Sequence, residues 1–369
     1  MSDDDDFITL EPLSAELEEL IQEDALLEPL KPSELPDLPF LPILMKVADS
    51  SRFPFIVLDD NLMVLWVNKS FTDTFQPTMF GNILSLPSIF TPHLTPEHIR
   101  AIRKSIADPE SRHSWKGRIE WHHREHLSII GNLLITPMPG DSQILGPPIY
   151  IGIIDDITEE HNKLLQGTFL SLLEASKLKD NDTGNHIKRV NEYSHILSVQ
   201  LYRNPDYPEV DRDFIENISF LAAMHDVGKI GTPDDILNKE GPLDEREWTI
   251  MMEHTKNGAF ILSTYPDPMA KQIALFHHEK WNGSGYPYQI SDSMIPLPAR
   301  IVAIADVYDA LRMKRSYKDP FSHEKASEII VNNKGTHFDP SLIDIFENVA
   351  GDFAEIFEQM ADEEFSEAG

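Results

Sequence analysis

From residue 53 onward the chain follows two rhythms of apolar and polar positions. The first is short apolar runs cut by turn residues. Residues 53–58 and 62–67 are two such runs, parted by Asp59-Asp60-Asn61; residues 115–121, 127–138 and 148–154 are three more. β-Branched and aromatic side chains bounded by Asp, Asn and Gly predict strands. Residues 86–112 between them read as helical or irregular. The second rhythm starts at Thr158, where Leu164, Leu165, Phe169, Leu172 and Leu173 recur at helical spacing among Glu159, Glu160, Lys163 and Glu174. Further helices are predicted over 185–202, 211–224, 244–264, 268–277, 298–311 and 323–333, with no strand-rich segment among them. The expected fold class is multidomain α+β: an N-terminal antiparallel sheet with helices, a connecting helix, and an all-α C-terminal domain.

Charge alters the picture at the two ends. The formal net charge is -31. Acidic residues crowd the first 40 positions, where Lys31 is the single base, and Pro29, Pro32, Pro36, Pro39 and Pro42 close that leader as a linker. From Asp352 the tail holds seven acidic residues and no basic one. Both ends are expected to be solvated and partly disordered. Such a chain has no excess of Lys and Arg for nucleic acid or an anionic membrane surface. It contains no cysteine, which excludes disulfides, thiol catalysis and cysteine-zinc sites. The acidic N-terminus does not read as a signal peptide, and no apolar run approaches a membrane span, so a cytoplasmic protein without membrane insertion is expected.

The order of strand, turn, strand with Val67-Asn68, a helical middle, three closing strands and Asp156-Ile157-Thr158-Glu159 resembles a PAS domain. The resemblance covers residues 43–157 and implies a sensor or dimerisation module without naming a ligand. His122, His123 and His126 read as a solvated hairpin turn, and no PAS cofactor is expected. The expected boundaries are a leader over 1–42, the PAS-like domain over 43–157, a signalling helix over 158–180, a helical domain over 181–349 and an acidic tail over 350–369. Paired in parallel between two chains, the 158–180 helix would make a homodimer; packed within one chain, it is an ordinary amphipathic helix.

Chemistry concentrates in His225-Asp226, His254, His277-His278 and Asp306, all on or at the ends of predicted helices. Imidazole nitrogen and carboxylate oxygen are the donors that borderline divalent metals accept. The apolar run 220–224 carries His225 into a core, where His and Asp buried together need a metal or close pairing. These residues sit in longer words. His225-Asp226-Val227-Gly228-Lys229 is similar to the signature of the HD hydrolase superfamily. Segments 277–287, 298–311 and 335–340, with 180–190 upstream, resemble the HD-GYP subfamily over about residues 165–348.

That resemblance implies a cyclic di-GMP phosphodiesterase yielding pGpG and then GMP. Its two-metal centre, iron or manganese, would be held by His225, Asp226, His254, His277, His278 and Asp306, with Asp226 bridging. Asp226 and Lys229 would be the catalytic residues, Lys229 neutralising phosphoryl oxygens. Arg315 and Lys318 would contact phosphate, and the Gly285-Tyr286-Pro287 loop would fit substrate and meet diguanylate cyclase (GGDEF) domains. Asp309 would support Lys229 or a ligand histidine, and His186 would lie close by. Two departures qualify this. Lys177 stands where many members carry an acid that in some ligates a third metal, so two metals are expected. Segment 312–317 differs from the usual Thr-Ser and Arg-Pro-Tyr pattern. The alternatives are a module that binds cyclic di-GMP or a GGDEF partner without turnover, and a phosphodiesterase for another cyclic dinucleotide.

Overall fold

The computed structural model describes residues 41–75, 85–90, 94–107, 114–123, 126–138, 149–177, 179, 184–313 and 320–360. The chain divides into two compact units, with the division falling inside one helix between Lys163 and Leu164.

The first unit is a five-stranded sheet. Its strands are β1 (Phe55–Leu58), β2 (Val64–Val67), β3 (Trp115–His123), β4 (His126–Pro137) and β5 (Tyr150–Asp156), in the order β2-β1-β5-β4-β3. β1 pairs antiparallel with both β2 and β5, and β4 antiparallel with β5. The turn between β1 and β2 is made by Asp59, whose Oδ1 accepts from the amides of Asn61 and Met63. Helices α1 (Leu41–Asp49), α2 (Lys69–Phe75), α3 (Leu86–Ile89) and α4 (Pro96–Ala107) accompany the sheet. Phe71, Phe75, Leu86 and Ile102 share a core with Ile56, Leu133 and Ile154. Asn68, buried at 1 % exposure, uses its whole amide: Oδ1 accepts from Phe55 and Phe71, and Nδ2 donates to the carbonyls of Ala48 and Phe53. One side chain thereby ties α1, β1 and α2 together. This is the antiparallel sheet with helices that the PAS-like reading expects. The hairpin tip at 124–125 lies outside the described residues.

Helix α5 (Thr158–Lys177) starts where Asp156 Oδ1 accepts from the amide and hydroxyl of Thr158. Thr158 Oγ1 in turn accepts from the Ile130 amide, which pins the helix start to β4. Phe169 and Leu173, further along α5, are buried in the core of the second unit.

That second unit is helical. It comprises α6 (Gly184–Tyr202), α7 (Arg212–Leu221), two 3-10 turns at Ala222–Met224 and Val227–Gly231, α8 (Asp234–Leu237), α9 (Glu245–Met252), α10 (His254–Ile261), α11 (Pro268–Phe276), α12 (Leu297–Arg312), α13 (His323–Asn332) and α14 (Pro340–Gln359). Helix α12 is apolar around most of its surface and runs through the core, which is the burial such a pattern requires. Two expectations change here. The single helix predicted over 244–264 is broken at Glu253, whose amide turns back to Ile250, and the chain restarts at His254. The domain also does not end at 349 with a tail from 350. Helix α14 continues to Gln359 because Phe346, Val349, Phe353 and Phe357 fall on one buried face, Phe353 stacking on Tyr193 at 4.3 Å. The acidic residues between them simply occupy the other face of an amphipathic helix.

Gly228 marks the tightest contact in this unit. A β-carbon there would lie 1.9 Å from the His254 carbonyl oxygen and 2.3 Å from the Gly258 amide nitrogen. Gly228→Ala is therefore expected to destabilise the chain by about 3 kcal/mol or more, as overpacking against backbone does. Gly167→Ala, with nothing within 4 Å in the exposed middle of α5, is expected to stabilise it by about 0.5–1 kcal/mol. Urea melts of the two variants against the parent check both signs.

Candidate metal centre

The centre is assembled from four places in the chain. His225 and Asp226 lie between the two 3-10 turns, His254 opens α10, His277-His278 follow α11, and Asp306 is on α12. Burial of His225, His254 and His277 is nearly complete. Each has its Nδ1 against a backbone carbonyl of the preceding turn: Ala222 for His225 at 2.8 Å, Met251 for His254 at 2.6 Å, and Ile273 and Ala274 for His277 at 3.1 Å each. A carbonyl only accepts, so each Nδ1 carries a proton and each Nε2 points inward, as a lone pair wherever the ring is neutral.

Those lone pairs converge on Asp226. Its Oδ1 is 3.3 Å from His254 Nε2 and 3.6 Å from His277 Nε2, while its Oδ2 is 3.3 Å from His225 Nε2 and 2.9 Å from Lys229 Nζ. Asp226 Oδ1 and all three Nε2 atoms are buried without a hydrogen-bond partner. Acceptor faces acceptor, which is costly unless a positive centre lies between them. The donors form two sets, Asp226, His254, His277 and His278 in one and His186, His225 and Asp306 in the other, each with ligand atoms within 4.8 Å of one another. The residues thus fit divalent cations, and the two carboxylate oxygens of Asp226 face different histidines.

Charge within the site follows the same geometry. Burial opposes the charge on Asp226, but Lys229 and His225 hold its carboxyl well below the usual range. Burial pulls His225 down, yet the charges of Asp226 and Asp306 raise it to about 9. Burial lowers His254 to about 4 despite Asp226, and takes His278 well below the ordinary histidine range with help from His277. A proton on His225 relieves one contact with Asp226 and leaves Oδ1 still facing His254 and His277.

The surrounding residues orient these donors. His186 gives Nδ1 to Asp309 Oδ2 at 2.8 Å and turns Nε2 toward Asp306 Oδ1 at 3.8 Å. Asp309, fully buried, also accepts from Arg189 Nε at 2.6 Å and Nη2 at 2.9 Å. Tyr286 stacks on His278 with centroids 4.7 Å apart, and Gly285 allows that approach, since a β-carbon there would sit 2.6 Å from the His278 carbonyl oxygen. Pro287 follows in the same loop. Lys177 lies beside the centre, in the wall of a small cavity lined also by Ser176, Ile187, His225 and Asp226, with its ammonium on Glu174 at 2.7 Å.

All of the expected site residues among those described gather here: His186, His225, Asp226, Lys229, His254, His277, His278, Gly285, Tyr286, Pro287, Asp306 and Asp309. Arg315 and Lys318 lie outside the described residues. Of the two supports expected of Asp309, for Lys229 or for a ligand histidine, the structure places it on His186, beside Arg189. Sequence reasoning gave no role to Arg189 or Glu279. Arg189 stood in the 180–190 segment that carries the HD-GYP resemblance, but the partner that gives it a role lies far along the chain. Glu279, 2 % exposed, accepts from the Tyr288 amide at 2.7 Å and so holds the 285–290 loop against the histidine pair.

Asp309 gives a direct check. Burial alone would raise its pKa, but His186 and Arg189 lower it. A lowered folded-state value means that its stabilisation is present above the ordinary carboxylate range and is lost as pH falls through the folded value. Asp309→Ala is expected to cost about 3–5 kcal/mol at pH 7, because it removes the fully buried carboxylate that Arg189 Nε and Nη2 grip. Urea titrations at descending pH are expected to show the gap between parent and variant closing once the medium falls below the ordinary carboxylate range.

With this geometry in view, comparison with known proteins is informative. The family model described as "HD domain" matches residues 209–342. A probable cyclic di-GMP phosphodiesterase of Vibrio cholerae is 40% identical over 215 residues, covering 56% of this chain and 49% of that protein. A cyclic di-GMP phosphodiesterase of the same organism is 43% identical over 196 residues, covering 51% and 40%. A 3'3'-cGAMP-specific phosphodiesterase, also from Vibrio cholerae, is 41% identical over 198 residues, covering 53% and 36%. The chain therefore spans about half or less of the length of these curated relatives. The residues that this model matches lie within the second unit, which is similar to an HD domain there.

Proposed function

We propose that this chain is a metal-dependent phosphodiesterase that hydrolyses cyclic di-GMP to pGpG, and onward to GMP. The observation that carries the reading is the pair of adjacent donor sets linked by Asp226, which belongs to one and has its Oδ2 3.3 Å from His225 Nε2 of the other, with Asp226 Oδ1 and three inward Nε2 atoms buried without a hydrogen-bond partner. Relatives named cyclic di-GMP phosphodiesterases support the substrate. His225, Asp226, His254, His277, His278 and Asp306 would hold two divalent ions, iron or manganese, with Asp226 bridging, and His186 completes the set on the side of His225 and Asp306. When bound, such ions supply Lewis acidity and water activation for in-line displacement at phosphorus.

The chain's own residues do the rest. Lys229, 2.9 Å from Asp226 Oδ2, balances the carboxylate and faces the phosphoryl oxygens. Asp309 and the backbone carbonyls behind each ring keep the ligand nitrogens aimed, as outer partners do in metal sites. Tyr286 stays a neutral phenol, its pKa raised by burial and by Asp226, and closes the site over His278. Lys177 beside His225 supplies a positive charge that discourages a third ion. Arg315 and Lys318 are the phosphate contacts in this reading. The GYP loop would also meet GGDEF partners. In this reading a PAS-like module to residue 157, a signalling helix over 158–180 and the helical domain beyond work as a cytoplasmic homodimer. No helix among the described residues is long and apolar enough to cross a membrane.

A second reading keeps the chemistry and changes the substrate, because the relative named for 3'3'-cGAMP is as similar as the others. Both are tested by turnover of the two cyclic dinucleotides side by side, with metal-loaded full-length protein. Cyclic di-GMP is expected to be preferred, and Asp226→Ala to lower the rate by more than about 100-fold, beyond the loss typical of an outer-shell partner. Intact cyclic di-GMP with parent protein and variant alike would sink the proposal. In the same assay a chain lacking residues 1–157 is expected to change in rate and oligomeric state; no change in either removes the regulatory role.

A further inference from the structure

Helix α9 is unusual among the elements around the centre because none of its residues is buried. It is nevertheless firmly built. Asp244 caps it by accepting from the Glu247 amide, and the Glu247 carboxylate accepts in return from the Asp244 amide. Its last turn is also bound to the metal centre, since the Met251 carbonyl receives the Nδ1 proton of His254. A short, capped helix fixed to a ligand histidine, yet contributing no side chain to the core, holds its apolar residues for something else.

One of them is Trp248, 48 % exposed. Its ring meets Tyr286 edge-on at 6.2 Å, and Tyr286 stacks on His278 at 4.7 Å. The three rings form a row that starts at a ligand histidine and ends in solvent. A tryptophan left half in water at the rim of a buried charged site offers a flat, polarisable face. A nucleobase stacks on such a face without needing a particular hydrogen-bond pattern. In a phosphodiester nucleotide the base lies one ribose away from the phosphate. A phosphate held between His278 and Lys229 would therefore carry its base outward along this row.

Resting on the reading of the site as a nucleotide phosphodiesterase, we propose that Trp248 is the stacking platform for a purine base of the substrate. It is a binding residue rather than one that touches the reacting atoms. Stacking on it also acts on the helix whose Met251 carbonyl aims His254, so base recognition and ligand orientation share one rigid element.

The test compares full-length, metal-loaded parent, Trp248→Phe and Trp248→Ala by equilibrium titration with pGpG and, separately, with ribose 5-phosphate, which has no base. Trp248→Ala is expected to weaken pGpG binding by roughly 5- to 100-fold, the range of a single base–aromatic stack. Trp248→Phe is expected to recover most of it, and ribose 5-phosphate to bind all three proteins alike. Unchanged pGpG affinity in Trp248→Ala, equal losses for both ligands, or a parent protein that binds no pGpG would each overturn the proposal. Equal losses would mean that the ring merely supports α9 and, through it, His254. Failure of the wider reading looks different: the parent leaves cyclic di-GMP intact while pGpG binding still depends on Trp248.

Discussion

Asp226 is a buried carboxylate set among three inward ring nitrogens, more than their protons can satisfy. The backbone enforces this. Three carbonyls, of Ala222, Met251 and the Ile273–Ala274 pair, take up the Nδ1 protons and leave Nε2 lone pairs aimed inward. Among the described residues nothing satisfies all of them together, because a proton on His225 still leaves His254 and His277 against Oδ1. A buried cluster of acceptors is a standing cost of several kcal/mol unless positive charge joins it. The surrounding fold can be understood as what holds that arrangement together.

Several devices share this task. Gly228 lets the segment bearing Asp226 lie directly on the backbone of α10, so Asp226 and His254 are set by a main-chain contact rather than by flexible side chains. Gly285 does the same for the loop that covers His278. Arg189 and Asp309 form a two-bond ion pair in the core, and Asp309 also accepts from His186 and from the Tyr193 hydroxyl. Helix α12 carries Asp306 and Asp309 three residues apart, so one turn of one buried helix presents a donor to the centre and a support to the ring beside it.

Much of this was legible in the sequence because the signals were local. The five strands, the connecting helix and most of the C-terminal helices follow from apolar spacing and turn residues. The ligand residues stand in words specific enough to mark them. What was not legible depended on contacts between distant segments. The break at Glu253 has no Gly or Pro to announce it. Helix α14, absent from the predicted elements, was hidden by acidic residues on its solvent face, although Phe346, Val349, Phe353 and Phe357 kept the helical period. The roles of Arg189 and Glu279 arise from partners far along the chain or in a loop whose path no spacing reveals. Trp248 looked like one more apolar residue of a helix, and only its position at the end of a row of rings distinguishes it.

The central claim is that the two adjacent donor sets, linked through Asp226, are a two-ion centre. Metal analysis of full-length protein purified without oxygen tests it most directly. The account predicts two iron or manganese ions per chain, falling below one in Asp226→Ala while the fold is kept. A parent chain that holds no ion or only one, or an Asp226→Ala chain that still holds two, would contradict it.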